Sequence, residues 1–167
     1  MIDLKNVLVA TDFSEPSAAA LAYGRALARQ FGARLHVLHV VEDVAARFAG
    51  FPFYVGDLGQ MQLEVETAAR ARLDEWLTDD DRQNLCAIPT AMMSTSAPAA
   101  IVDYATNTLP RIDLIVMGTH GRGAMGHFFM GSVAERVVRT APCPVLTVRE
   151  SERTFVRPDV RQSVTHA

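Results

Sequence analysis

Four residues late in the chain have the types and spacing to hold an anion: Gly118, Gly121, Gly131 and Ser132. The first two stand in Val116-Met117-Gly118-Thr119-His120-Gly121, and Gly131-Ser132 follows after nine intervening residues. The apolar run Ile112 to Met117 predicts a buried strand before them. The amphipathic stretch Val133 to Arg139 predicts a helix after them. A strand, a glycine-lined loop and a helix opened by serine make a shape that accepts phosphate. Glycine permits close backbone approach, first-turn amides are unpaired, and the helix dipole favours negative charge. The chain has no Walker A motif. It does contain GxGxxG at Gly121-Arg122-Gly123-Ala124-Met125-Gly126. That match starts several residues past the strand, with only one strand to follow. No acidic residue stands about twenty positions on to take a ribose hydroxyl.

Each of these residues also has a reading that needs no ligand. Asp12 can form an Asx turn. Ser132 and Glu135 have the S-x-x-E spacing of a capping box. Gly118 and Gly121 can simply make a turn. His36, His39, His120 and His127 share no metal-ligand spacing, and no metal site is expected. His39 reads as strand packing, His120 as loop structure and His127 as surface. Cys86 and Cys143 lie in no CxxC and read as two small buried hydrophobes in a reducing compartment. No paired carboxylate or activated nucleophile can be placed beside the glycines.

The elements that position these residues follow from pattern. The 167 residues suit one domain, and 49% apolar with 21% charged residues is ordinary for a packed globule. A formal charge of −3 offers no broad basic surface for nucleic acid. The N-terminus lacks a signal-peptide pattern, and no apolar run approaches the ~20 residues of a membrane span, so a cytoplasmic protein is expected. Val7 to Ala10 reads as a first strand. Ser14 caps the following helix, which stops at Gly32. Leu35 to Val41 is a second strand. Residues 42 to 60 read as a long loop with at most a helical turn, and Met61 to Leu77 as a helix. Leu85 to Met93 is a third strand, and Pro89 within it demands a sheet edge. A helix opens at Ser96-Ala97-Pro98 and ends before Pro110. Strand four leads to the glycines, Ser132 to Thr140 is the next helix, and Pro144 to Val148 is strand five. Alternation of this kind implies a parallel sheet with right-handed crossovers. Residues 150 to 167 read as a flexible tail following a domain of residues 1 to 149.

The spacing G-x2-G-x9-G-[ST] at Gly118, Gly121, Gly131 and Ser132 occurs together with three other segments. These are Ala10-Thr11-Asp12-Phe13-Ser14, His39-Val40-Val41-Glu42 and Ala141-Pro142-Cys143-Pro144-Val145. Together they closely resemble the ATP-binding subgroup of the universal stress protein family, over about residues 3 to 149. The resemblance implies an α/β, Rossmann-like fold: a doubly wound five-stranded parallel sheet of order 3-2-1-4-5 with helices on both faces. It implies an adenine-nucleotide site made of Thr11, Asp12, Val40, Met117, Gly118, Gly121, Arg122, Gly131, Ser132 and Val133. Asp12 and the backbone of Val40 would face adenine and ribose, with Thr11 in the same pocket. Met117 would pack on the base and Gly118 would lie along the ribose. Gly121, Gly131, Ser132 and Val133 would surround the phosphates, and Arg122 could reach the terminal one. Two positions depart from the family pattern: Ala10 stands where many members have proline, and Ser96 where many have glycine.

The function expected is binding of ATP, or of ADP or AMP, by a stress-response regulatory protein with little or slow hydrolysis, Mg²⁺ bridging the phosphates. The alternatives are a nucleotide-independent interaction module on the same fold, or a nucleotide hydrolase. Strand five, with Val145, Leu146 and Val148, should be an unprotected sheet edge, so a homodimer paired through it is expected. No nucleic-acid or membrane partner is expected.

Overall fold

The structure is a computed structural model that describes residues 2–48, 57–119 and 130–149. Five strands run β1 (Asn6–Thr11), β2 (Arg34–Glu42), β3 (Ile88–Ser94), β4 (Leu114–Gly118) and β5 (Val145–Val148). The helices are α1 (Glu15–Phe31), α2 (Val44–Phe48), α3 (Leu58–Trp76), α4 (Asp79–Asn84), α5 (Ala97–Asn107) and α6 (Ser132–Thr140). All pairings are parallel, in the order β3-β2-β1-β4-β5. Pro89 therefore lies on an edge strand, where its missing N–H removes no ladder bond on the open side.

Side chains of a strand alternate between faces, and β1 shows what this sheet does with that. Val7 and Val9 join one core with Leu21, Leu35, Val37 and Leu73. Leu8 and Ala10 join the other, with Leu38, Ile101, Ile115 and Val137. Helices α1 and α3 cover the first face, and α5 and α6 the second. Helix α1 lies very close on β1 because it carries Gly24 there: a Cβ at that position would stand 2.3 Å from Val9 Cγ2. The helix ends as its sequence predicts, at Gly32 in the left-handed conformation, φ 63°.

Several boundaries differ from the sequence reading. The stretch read as one long loop holds α2 and the first turn of α3. Asp57 caps α3 by accepting from the Gln60 amide at 3.0 Å. Strand three begins at Ile88 rather than Leu85, because a short helix intervenes. That helix, α4, is closed by a reciprocal box between Thr78 and Asp81. Asp81 is fully buried and also accepts from Arg25 Nη2 at 2.6 Å, which ties α1 to α4. The two cysteines are not both buried: Cys86 is exposed and Cys143 half-buried. The tail 150–167 lies outside the described residues.

One buried polar chain crosses the sheet. His36 is 2% exposed. Its Nε2 donates to Asn6 Oδ1 at 3.3 Å, which leaves Nδ1 to accept from the Tyr104 hydroxyl at 2.9 Å. Thr90 Oγ1 completes the chain 3.3 Å from that hydroxyl. Burial, and secondarily the Arg34 charge, lower the His36 pKa from 6.5 to about 4.

Candidate functional site

In this strand order the chain turns one way from β1 to β2 and the other way from β3 to β4. The direction reverses between β1 and β4, and their carboxyl ends diverge there to open a crevice. A cleft of about 450 Å³ occupies that position, within the usual range for small-molecule sites. Thr11 and Asp12 enter it from the end of β1, Val40 from β2, and Met117 and Gly118 from β4. Gly131, Ser132 and Val133 enter from the start of α6. Eight of the ten residues singled out in the sequence thus line one cavity. Gly121 and Arg122 lie outside the described residues, as do His120, His127 and the GxGxxG segment.

The cleft has two halves of different chemistry. Leu38, Val40, Ile101 and Met117 make an apolar wall, with Ala97 at the first turn of α5. The other half is the amino end of α6. Gly131 is its N-cap, with φ −63° and ψ 149°, and no side chain caps the helix. Ser132 is the first helical residue rather than the cap, so the capping box with Glu135 does not form. The structure leaves its hydroxyl exposed at the cleft. Backbone angles of this kind suit any residue, so conformation does not explain a glycine at 131. The Gly131 amide donates to the Thr119 carbonyl at 2.7 Å, which fastens the start of α6 to the end of β4.

Gly118 has a different reason. A Cβ there would stand 2.9 Å from Pro16 Cβ and 3.0 Å from its carbonyl carbon. The missing side chain lets the first turn of α1 rest on the end of β4. Its backbone still lines the cleft.

The β1–α1 loop is held by its own side chains. Asp12 Oδ1 accepts from the Ser14 amide at 3.1 Å and from the Ser14 hydroxyl at 2.5 Å. The Asx turn therefore forms, and the Ser14 hydroxyl serves it instead of capping α1. Thr11 Oγ1 accepts from the Phe13 amide at 2.9 Å and donates to Ser17 Oγ at 3.1 Å. His39 Nδ1 lies 2.8 Å from the Thr11 carbonyl. A carbonyl only accepts, so Nδ1 carries a proton. At the position where the family pattern has glycine, Ser96 is the N-cap of α5 with φ −138°, an ordinary extended angle. Its amide donates to Ser94 Oγ at 3.1 Å. Among the described residues no group of three or more His, Cys, Asp or Glu could hold a metal ion.

Sequence reasoning missed Ser17, Leu38, His39, Ala97, Ile101 and Ala134 as cleft residues. For α5 the signal was available: Ala97, Ala100 and Ile101 form an inward stripe, on the face that also receives α6.

A family model described as the universal stress protein family matches residues 3–149. The chain belongs to the universal stress protein family. This universal stress protein is 39% identical over 147 residues to one from Thermus aquaticus, a match covering 87% of this chain and 98% of that one. Among solved structures it resembles the universal stress protein UspA from Lactobacillus plantarum. The TM-score is 0.67 at 26% identity, over 89% of this chain and all of the other. It shares its fold with a universal stress protein solved in complex with cAMP, at 21% identity and TM-score 0.56, over 90% of this chain and all of the other. It shares it also with one from Archaeoglobus fulgidus solved with dAMP, at 21% identity and TM-score 0.53, over 89% of this chain and 99% of the other.

Proposed function

We propose that this universal stress protein binds an adenine nucleotide in the cleft between β1 and β4, as a regulatory ligand. The observation that carries the reading is the pairing of an apolar wall with an uncapped helix start in one cavity of about 450 Å³. The base would lie against Met117, Ile101 and Val40, with Asp12 and the Val40 backbone towards the adenosine. Phosphate would meet the first-turn amides of α6, from Ser132 and Val133, and the Ser132 hydroxyl. These donors are unpaired by helix geometry, and the dipole end adds roughly 0.3–1 kcal/mol for each favourable charge contact. Two fold relatives were solved with adenine nucleotides, cAMP and dAMP, which supports an adenine nucleotide as the ligand class. ATP is the form we favour, with Mg²⁺ held through its phosphates. Gly121 and Arg122 are proposed to complete the phosphate end.

Two further features belong to this reading. The sheet ends at β5, whose Val145, Leu146 and Val148 carry no charge to discourage pairing. A second copy joined antiparallel about a two-fold axis would cover that edge. No described helix is long and apolar enough to cross a membrane, and we place the protein in the cytoplasm, with residues 150–167 as a tail outside the domain.

Ligand that binds only the folded state stabilises it by mass action, about 2.7 kcal/mol at a hundred times Kd. For a domain of this size that raises Tm by about 5–10 °C. ATP should produce such a shift in the wild type and a smaller one in Asp12→Ala and Gly131→Val. Failure of ATP, ADP and AMP at millimolar concentration to move the wild-type Tm would remove the proposal.

A further inference from the structure

Phe13 stands between Asp12 and Ser14, in the middle of the loop that brings β1 into the cleft. Its φ is 64°, in the left-handed region. A residue with a bulky side chain is rarely found there, and holding it costs energy that the surroundings must supply. Glycine would adopt this angle freely, yet the position carries a phenyl ring that is only 8% exposed.

That ring is gripped from three sides. The His39 ring lies 4.4 Å away, centroid to centroid. The Trp76 ring meets it edge-on at 5.1 Å and 80°. The Arg72 guanidinium sits over its face at 4.5 Å. His39 belongs to β2 and lines the cleft; Arg72 and Trp76 belong to the last turns of α3. On the backbone side, the Phe13 amide donates to Thr11 Oγ1, and the Asp12 and Ser14 side chains bond to one another across Phe13. A change of φ at Phe13 would break the Asp12–Ser14 bonds, because they span its N–Cα bond, while the bond of its amide to Thr11 fixes the peptide plane from which that angle is set.

Resting on the nucleotide reading above, we propose that Phe13 is a positioning residue of this site. Its ring, clamped by His39, Trp76 and Arg72, holds the β1–α1 loop against its backbone strain and so sets where Thr11 and Asp12 stand in the cleft. The same stack links the cleft to Trp76, the one tryptophan of the chain.

The test uses AMP as probe, with affinity measured by calorimetry and Trp76 emission followed in the same samples. Phe13→Gly removes the ring but makes the backbone angle easy, so it does not add strain. Its loop loses the clamp, and the share of molecules in the binding arrangement falls. AMP affinity is expected to drop about tenfold or more, and Trp76 emission should stop responding to AMP even at saturation. Arg72→Met, at an exposed position, keeps the fold and removes only the cation over the ring; it should weaken AMP about two- to fivefold, the size of an exposed cation–π contact. If both variants bind AMP as the wild type does, Phe13 merely fills core and the proposal is overturned, while the nucleotide reading stands. If the wild type itself does not bind, both fall together.

Discussion

Acid should weaken this protein through one side chain, His36. Its ring is buried and neutral, bonded at both nitrogens to Asn6 and Tyr104. Folding lowers its pKa from 6.5 to about 4. The unfolded chain therefore takes the proton first as pH falls. The stability this group contributes is complete above about pH 6.5, declines between there and about pH 4, and changes no further below. At about 1.4 kcal/mol for each tenfold change in proton affinity, the full loss is about 3 kcal/mol. That is a large part of the 5–15 kcal/mol typical of a domain. The assay is urea unfolding at pH steps from 7.5 to 4, on the wild type and on His36→Gln. The variant cancels the other four histidines and the carboxylates, which titrate in both proteins. The stability gap between the two should shrink by about 3 kcal/mol from the neutral to the acid end, at no more than about 1.4 kcal/mol per pH unit. Parallel curves would refute the reasoning, and so would a gap that widens in acid.

Gly24→Ala gains about 1 kcal/mol of helix propensity. It also drives a Cβ to 2.3 Å from Val9 Cγ2, an overpacking that costs about 1–3 kcal/mol. Net destabilisation is expected in denaturant unfolding, and a rise in midpoint would show that Val9 can turn away freely. Ser132→Ala separates capping from binding. Because the hydroxyl caps nothing, stability should change by less than about 0.5 kcal/mol, while ATP affinity falls about tenfold for one lost bond to a charged phosphate. A stability loss near 1 kcal/mol with unchanged affinity would reverse that assignment. Leu146→Glu puts charge on the β5 edge and should halve the mass seen in sedimentation; an unchanged mass would reject pairing through this strand.

Most of the sheet was legible in the sequence because its three inner strands, β1, β2 and β4, are largely buried and appear as apolar runs. Pro89 marked one edge, and Gly32 marked the end of α1. Helix α2 was anticipated only as a helical turn within the long loop, and α4 was missed because its cause is local and polar. Helix α4 is Asp79-Asp80-Asp81-Arg82-Gln83-Asn84, with no apolar stripe, and it exists through the Thr78–Asp81 box and the Arg25 pairing. The candidate site was legible as a set, since eight spaced residues meet in one cleft. The reasons for single residues were less legible. Gly118 answers a steric demand from Pro16, 102 positions away in sequence, which no local pattern displays. Ser132 has cap spacing yet sits one residue inside the helix. Phe13 looks like any apolar loop residue until its φ is known.

The most direct measurement is calorimetric titration of the purified protein with ATP, run beside GTP and beside the Gly131→Val variant. One saturable adenine-nucleotide site per chain, weaker for GTP and lost in the variant, is the predicted result. No saturable heat from the wild type up to millimolar ATP, ADP or AMP would contradict the claim that the cleft between β1 and β4 is a nucleotide site.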